Sequence, residues 1–239
     1  MEKLLLPSKI KYEDDKKNPN KTSLTIEPLY FGYGTTLGNA LRRVLLSSLP
    51  GAAVTAVKIE GADQEFSSID NVKEDVLNIC LNLKALRLKV FSDEPVKLIL
   101  KATGEKKVTA ADFDKNSDVE IINPELEIAT LTDKKAKLNM EITVEQGRGY
   151  MPTEERNADD VEIGNILVDA IFTPVIKVGY KVEPTRVGDI TNYDKLTMEI
   201  ETNGTLSPRE AVEQSTAILM DHFELLKAEE KAEEKEEEK

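Results

Sequence analysis

Cysteine and histidine each occur once in the 239 residues, as Cys80 and His222, and that scarcity bounds the chemistry. A nucleophilic thiolate recruits a base, usually histidine, and a zinc site gathers several Cys, His or carboxylate ligands. Both residues fall among apolar neighbours at helical spacing, so Cys80 reads as structural and His222 as a packing or interface histidine. GYGTTLGN leads glycines into a helix but lacks a Walker lysine, and no dinucleotide fingerprint or G-x-S-x-G elbow occurs. Asp and Glu are plentiful, yet no pair is set apart as acid and base. QGRGYMP (146–152) reads as a tight turn. The expected catalytic, cofactor-binding and metal-ligating sets are therefore all empty.

Two groups resist a purely structural reading. Arg42 and Arg43 sit in TTLGNALRRVLLSSLPG (35–51), a segment with almost no polar face. A guanidinium beside a buried seam usually serves a planar, bidentate contact with a carboxylate. At ~100° per residue, Leu37, Ala40, Leu41, Val44, Leu45 and Leu49 share one arc, which Leu46 widens. Asn39, Arg43 and Ser47 form a narrow polar strip, and Arg42 stands alone between Leu46 and Leu49. Gly38 lies inside the apolar arc, where a missing side chain lets another backbone approach. The second group is in NVKEDVLNICLNLKAL (71–86). Val72, Val76, Ile79, Cys80, Leu83 and Leu86 share one helical face, while Leu77, Leu81 and Lys84 lie outside it. An apolar strip beside a lysine reads as a docking surface.

The elements that must carry these groups follow from punctuation and periodicity. Thr22–Leu29 reads as a strand; the arginine helix follows, with Thr35 or Thr36 as N-cap and Pro50-Gly51 as its stop. Alternating, β-branched segments dominate the middle: 53–60, 96–103, 119–122, 126–131 and 137–145, interrupted by the helix around Cys80. Two more strands, 175–183 and 195–202, precede a helix with Ser207 as N-cap, Pro208 at its first position and Glu210 completing a capping box. That helix should end near Lys227, ahead of a low-complexity acidic tail, 229–239. The fold class is α+β. Both chain ends (1–51 and 174–228) form a helix-plus-sheet subdomain, and 52–173 is a mainly β insert.

The C-terminal helix also has an apolar arc: Ala211, Val212, Ser215, Ile218, Leu219, His222, Phe223, Leu225 and Leu226. Burying a Leu or Val is worth about 1.5–3 kcal/mol, so the two helices together could hold subunits permanently. Self-association is favoured over one sheet burying both faces, because the first helix is apolar nearly all round. The formal charge is −13, a poor balance for wrapping phosphates, which takes clustered Lys and Arg. No apolar run matches a secretory signal or a membrane span, and a single Cys fits a reducing compartment. A cytoplasmic protein with no direct nucleic-acid contact and no membrane is expected.

EPLYFGYGTTLGNALRRVLLSSLPGAAV closely resembles the signature of the bacterial-type RNA polymerase α subunits. VKEDVLNICLNLKAL, VTAAD, DVEIINP, GRGYMP, LVDAIFTPV and MEIETNGT do too, in order, from about Thr22 to Leu226. The resemblance implies a dimerisation subdomain built from both chain ends and an inserted subdomain from the middle. It implies a homodimer on which the catalytic β and β′ subunits assemble, itself a non-catalytic part of a nucleotidyltransferase. On that basis Leu37, Leu41, Val44, Leu45, Val212, Leu219, His222, Phe223 and Leu226 are expected at the dimer interface. Asn39, Arg42, Arg43, Leu77, Leu81 and Lys84 are expected to dock β and β′, with Arg43 tied to β and Lys84 near β′. Asn78 stands where the family often has an acidic residue. The family continues into a small C-terminal domain that contacts upstream DNA, whereas this sequence stops in its acidic tail. A stand-alone enzyme with a pocket in the β-rich middle and a generic dimeric adaptor are the competing readings.

Overall fold

The computed structural model describes residues 6–62, 64–156, 164–188 and 190–237. Strands β1 (Lys9–Asp14) and β2 (Lys21–Leu29) lead into α1 (Tyr33–Ser47). Then come β3 (Pro50–Ile59), α2 (Val76–Lys84), β4 (Leu88–Val90), β5 (Val96–Thr103), β6 (Lys106–Thr109), β7 (Val119–Ile121) and β8 (Glu127–Leu131). They are followed by β9 (Lys137–Arg148), β10 (Tyr150–Met151), β11 (Ile166–Leu167) and β12 (Ala170–Ile171). The chain closes with β13 (Val175–Val187), β14 (Ile190–Thr202) and α3 (Pro208–Glu237). The architecture is α+β with antiparallel pairing. Contacts divide the chain into two compact units, Met1–Leu49 with Val175–Lys239, and Pro50–Pro174.

In the first unit the strands pair in the order β1-β2-β14-β13. Alternate residues Leu24, Leu196, Met198 and Ile200 bury one face of this sheet beneath α1 and the start of α3. Leu41, Leu45, Ala211 and Val212 belong to the same core. In the inserted unit the order is β5-β9-β3-β4-β7, with β11 also on β3. β5 alternates strictly between buried and exposed residues, the period-2 pattern of a strand with one wet face. α2 closes this unit's core with Val76, Ile79, Cys80 and Leu83.

Several expectations need correction. Neither Thr35 nor Thr36 caps α1: the helix begins at Tyr33 behind Gly32, which is left-handed at φ 85° and offers no side-chain cap. Gly38 gives room to side chains rather than to a backbone, since a Cβ there would lie 2.7 Å from the Tyr180 ring and 3.0 Å from Leu196. α2 is shorter than the periodicity implied, because Asp75 accepts from the Asn78 N–H at 2.7 Å and starts the helix there. Val72 and Leu86 lie outside the helix, Leu86 buried in this core and Val72 packed against it. α3 continues to Glu237 instead of stopping near Lys227; the Ala-Glu-Lys sequence has strong helix formers and no Gly or Pro to break it. The Ser207 capping box forms as expected, Glu210 accepting from the Ser207 N–H at 3.0 Å and its own N–H donating to Ser207 Oγ at 3.3 Å.

Candidate assembly interfaces

α1 turns its leucines into its own unit. Leu41 and Leu45 are buried in that core, as is Val212 of α3, so these three expected interface residues are covered by their own chain. Leu37, Val44 and Leu219 are half-buried. The reason is geometric: the sheet is wide enough to take the α1 stripe and the first turns of α3 together. Sequence periodicity identifies an apolar face without saying what covers it.

Past Leu219, α3 leaves the core. Phe223 is 59% exposed and Leu226 69%, with Met220 and Leu225 beside them in sequence and equally uncovered. His222 is exposed too, its Nδ1 2.7 Å from the Ile218 carbonyl one turn back in the same helix. These residues make an apolar surface that a single protomer leaves in water, and such patches mark association sites.

The two arginines differ. Both side chains are exposed, but Arg42 Nε donates to the Val178 carbonyl on β13 at 3.3 Å. The Arg43 backbone carbonyl accepts from Ser47 Oγ at 2.8 Å. Among the described residues the Arg43 guanidinium meets no protein carboxylate, and Asn39 beside it is exposed. Arg42 is thus partly occupied in holding α1 to β13, whereas the exposed Arg43 side chain has no such tie.

The start of α1 depends on a residue that sequence reading missed. Asp194 on β14 is buried, and its Oδ2 accepts from the N–H groups of Gly32 and Gly34 at 2.9 and 3.0 Å. A cap is normally sought one to three residues before a helix; one supplied from another strand has no local signature. The Gly-x-Gly spacing was its only trace.

In the inserted unit, Leu77, Leu81 and Lys84 do come together. They line a shallow pocket of about 160 Å³ with Glu65, Cys80, Thr153 and Asp169. Lys84 Nζ lies 2.9 Å from Asp169 Oδ2, and the Thr153 N–H donates to Asp169 Oδ1 at 3.0 Å. The Lys84 hydrogen bond, followed by that of Thr153, holds the Asp169 carboxyl below the usual carboxylate range. Burial, with the nearby Glu65 charge, pushes the Cys80 thiol up to about 11. Among the described residues no group of three or more His, Cys, Asp or Glu is gathered to hold a metal, and no helix is long and apolar enough to cross a membrane.

Residues 57–173 match the RNA polymerase Rpb3/RpoA insert domain. The chain is 52% identical over 217 residues to the DNA-directed RNA polymerase subunit alpha of Oceanobacillus iheyensis, covering 91% of this chain and 69% of that protein. It is 56% identical over 200 residues to the subunit of the same name from Symbiobacterium thermophilum, covering 84% of this chain and 63% of the relative.

Proposed function

Since the chain belongs to the family of bacterial DNA-directed RNA polymerase α subunits, we propose that it acts as a non-catalytic scaffold. Two copies pair, and the dimer is the platform on which β and β′ assemble for DNA-templated transcription. The observation that carries the proposal is the uncovered apolar surface of α3 around Phe223 and Leu226. A second copy of the same surface, with His222, Leu37, Val44 and Leu219 at its margins, is the simplest cover, because a two-fold axis brings like patches together.

The part built from both chain ends, expected at 1–51 with 174–228, is the dimerisation subdomain, 52–173 the insert, and 229–239 an acidic tail. Asn39, Arg42 and Arg43 dock one large subunit; Leu77, Leu81 and Lys84 dock on the insert. Because β differs from β′, each copy of the docking surface meets a different neighbour. The protein works in the cytoplasm, without membrane contact. Its charge of −13 supports leaving nucleic acid to other parts of the assembly.

The test is reconstitution of purified chain with β and β′. Arg43→Ala should remain folded and dimeric, yet bind the partner roughly thirtyfold more weakly, the loss of a hot spot worth about 2 kcal/mol. Unchanged capture, or loss of the dimer, would refute the docking role.

A further inference from the structure

We propose that Asp194 is a positioning residue: it caps α1 across the sheet and so fixes the orientation in which Asn39, Arg42 and Arg43 meet a docking subunit. The inference rests on the docking reading above and adds to it a residue with no part in the docking contact.

A helix start leaves N–H groups without intrahelical partners. In α1 the N-cap is Gly32, which cannot supply a side-chain acceptor. Tyr33 donates to the Tyr30 carbonyl at 2.9 Å, and the flanking N–H groups of Gly32 and Gly34 converge on a single oxygen, Asp194 Oδ2. The negative carboxylate also sits at the end of the helix where the peptide dipoles favour an anion.

The surroundings are shaped around this contact. A Cβ on Gly34 would lie 3.0 Å from Asp194 Oδ2 and 2.8 Å from Val182 Cγ1, so only glycine leaves space for the carboxylate. The β14–β2 pairing shifts register between Asp194 and Leu196, and such irregularities re-aim a side chain. Next in sequence, Tyr193 packs edge-on against Tyr30, which packs edge-on against Tyr33, each pair with centroids 6.3 Å apart.

One turn further, Gly38 lies against Tyr180 and Leu196; then Arg42 bonds the Val178 carbonyl. α1 is therefore pinned to the sheet at its start and its middle, which sets its rotation about its own axis. Arg43 follows the second pin directly. A bidentate contact needs placement to within about 0.5 Å, which a frayed first turn would not guarantee.

Three variants separate positioning from direct contact. Asp194→Asn keeps an acceptor oxygen and loses the charge; Asp194→Glu keeps the charge and displaces the oxygen; Asp194→Ala loses both. Two readouts are taken on the full chain: amide hydrogen exchange at Gly32 and Gly34, and capture of purified β by the dimer. Expected are near-wild-type exchange and capture for Asn, within about twofold, and at least tenfold losses of both for Glu and Ala. If Ala does not fold, the Asn and Glu pair carries the comparison. Unchanged Gly32 and Gly34 exchange in Glu and Ala would overturn the cap. Retained protection in Asn with capture as poor as Ala would mean the charge touches the partner, overturning the positioning role. Failure of the wild type to capture β would overturn the scaffold reading and the positioning role with it, while exchange still reported on the cap.

Discussion

Leu45 and Phe223 were alike in sequence, both apolar residues at helical spacing, but they should fail in opposite ways. Leu45 is 0% exposed within its own unit. Its truncation to Ala leaves a cavity in a core the protomer owns, and should cost about 2.7–5 kcal/mol of folding free energy. Phe223 is 59% exposed, and a Phe side chain offers about 150–250 Å². The uncovered part is on the order of 100 Å², which at about 25 cal/mol per Å² is worth roughly 2–3 kcal/mol once a second copy covers it. Symmetry counts the loss twice, so Phe223→Ala should weaken the dimer by about 4–6 kcal/mol, at least on the order of a thousandfold in Kd. Sedimentation equilibrium gives Kd, and urea unfolding at several protein concentrations separates folding from association, because a dimer's midpoint moves with concentration. A Phe223→Ala protein with wild-type Kd would refute α3 as the interface. A Leu45→Ala protein of wild-type stability would refute the division between core and interface faces of α1.

Other perturbations test the inserted unit and the first sheet. A Cβ on Gly51 would fall 1.8 Å from the Phe172 carbonyl oxygen, so Gly51→Ala should destabilise by about 3 kcal/mol or more. Gly179 has open space around its Cβ position, and Gly179→Ala should be neutral or stabilise by up to about 1 kcal/mol; paired melting curves check both. Asp169 titrates below its ordinary value because of Lys84 first and Thr153 second. Its contribution, up to about 1 kcal/mol for such a partly exposed pair, is fully present above the unfolded carboxylate pKa and is lost as pH falls through the lower folded value. The stability gap between wild type and Lys84→Ala should therefore close in acid; a gap unchanged to the lowest pH at which the chain folds would contradict this. With its thiol pushed up to about 11, Cys80 should react with iodoacetamide at pH 8.5 roughly a hundredfold more slowly in the native protein than in urea. Equal rates would mean the pocket floor is open.

Sequence reading reached most elements because their periods were strong. β5 and the Ser207 capping box matched residue for residue, each being specified by neighbours in the chain. Short strands such as β4, β10, β11 and β12 were missed because two or three residues carry no period; pairing with distant strands makes them. Which apolar helix residues the chain itself covers was only partly legible for the same reason. Helical spacing grouped Leu41 and Leu45 with the apolar face, and only the width of the sheet decides that they are interior. Asp194 escaped because its partners are more than 150 residues away in sequence.

The central claim is that a dimer of this chain organises two unlike large subunits. Native mass spectrometry of the complex formed with purified β and β′ tests it most directly. The expected result is one species holding two copies of the chain, one β and one β′. A complex with a single copy, or a stable dimer that binds neither subunit, would contradict it.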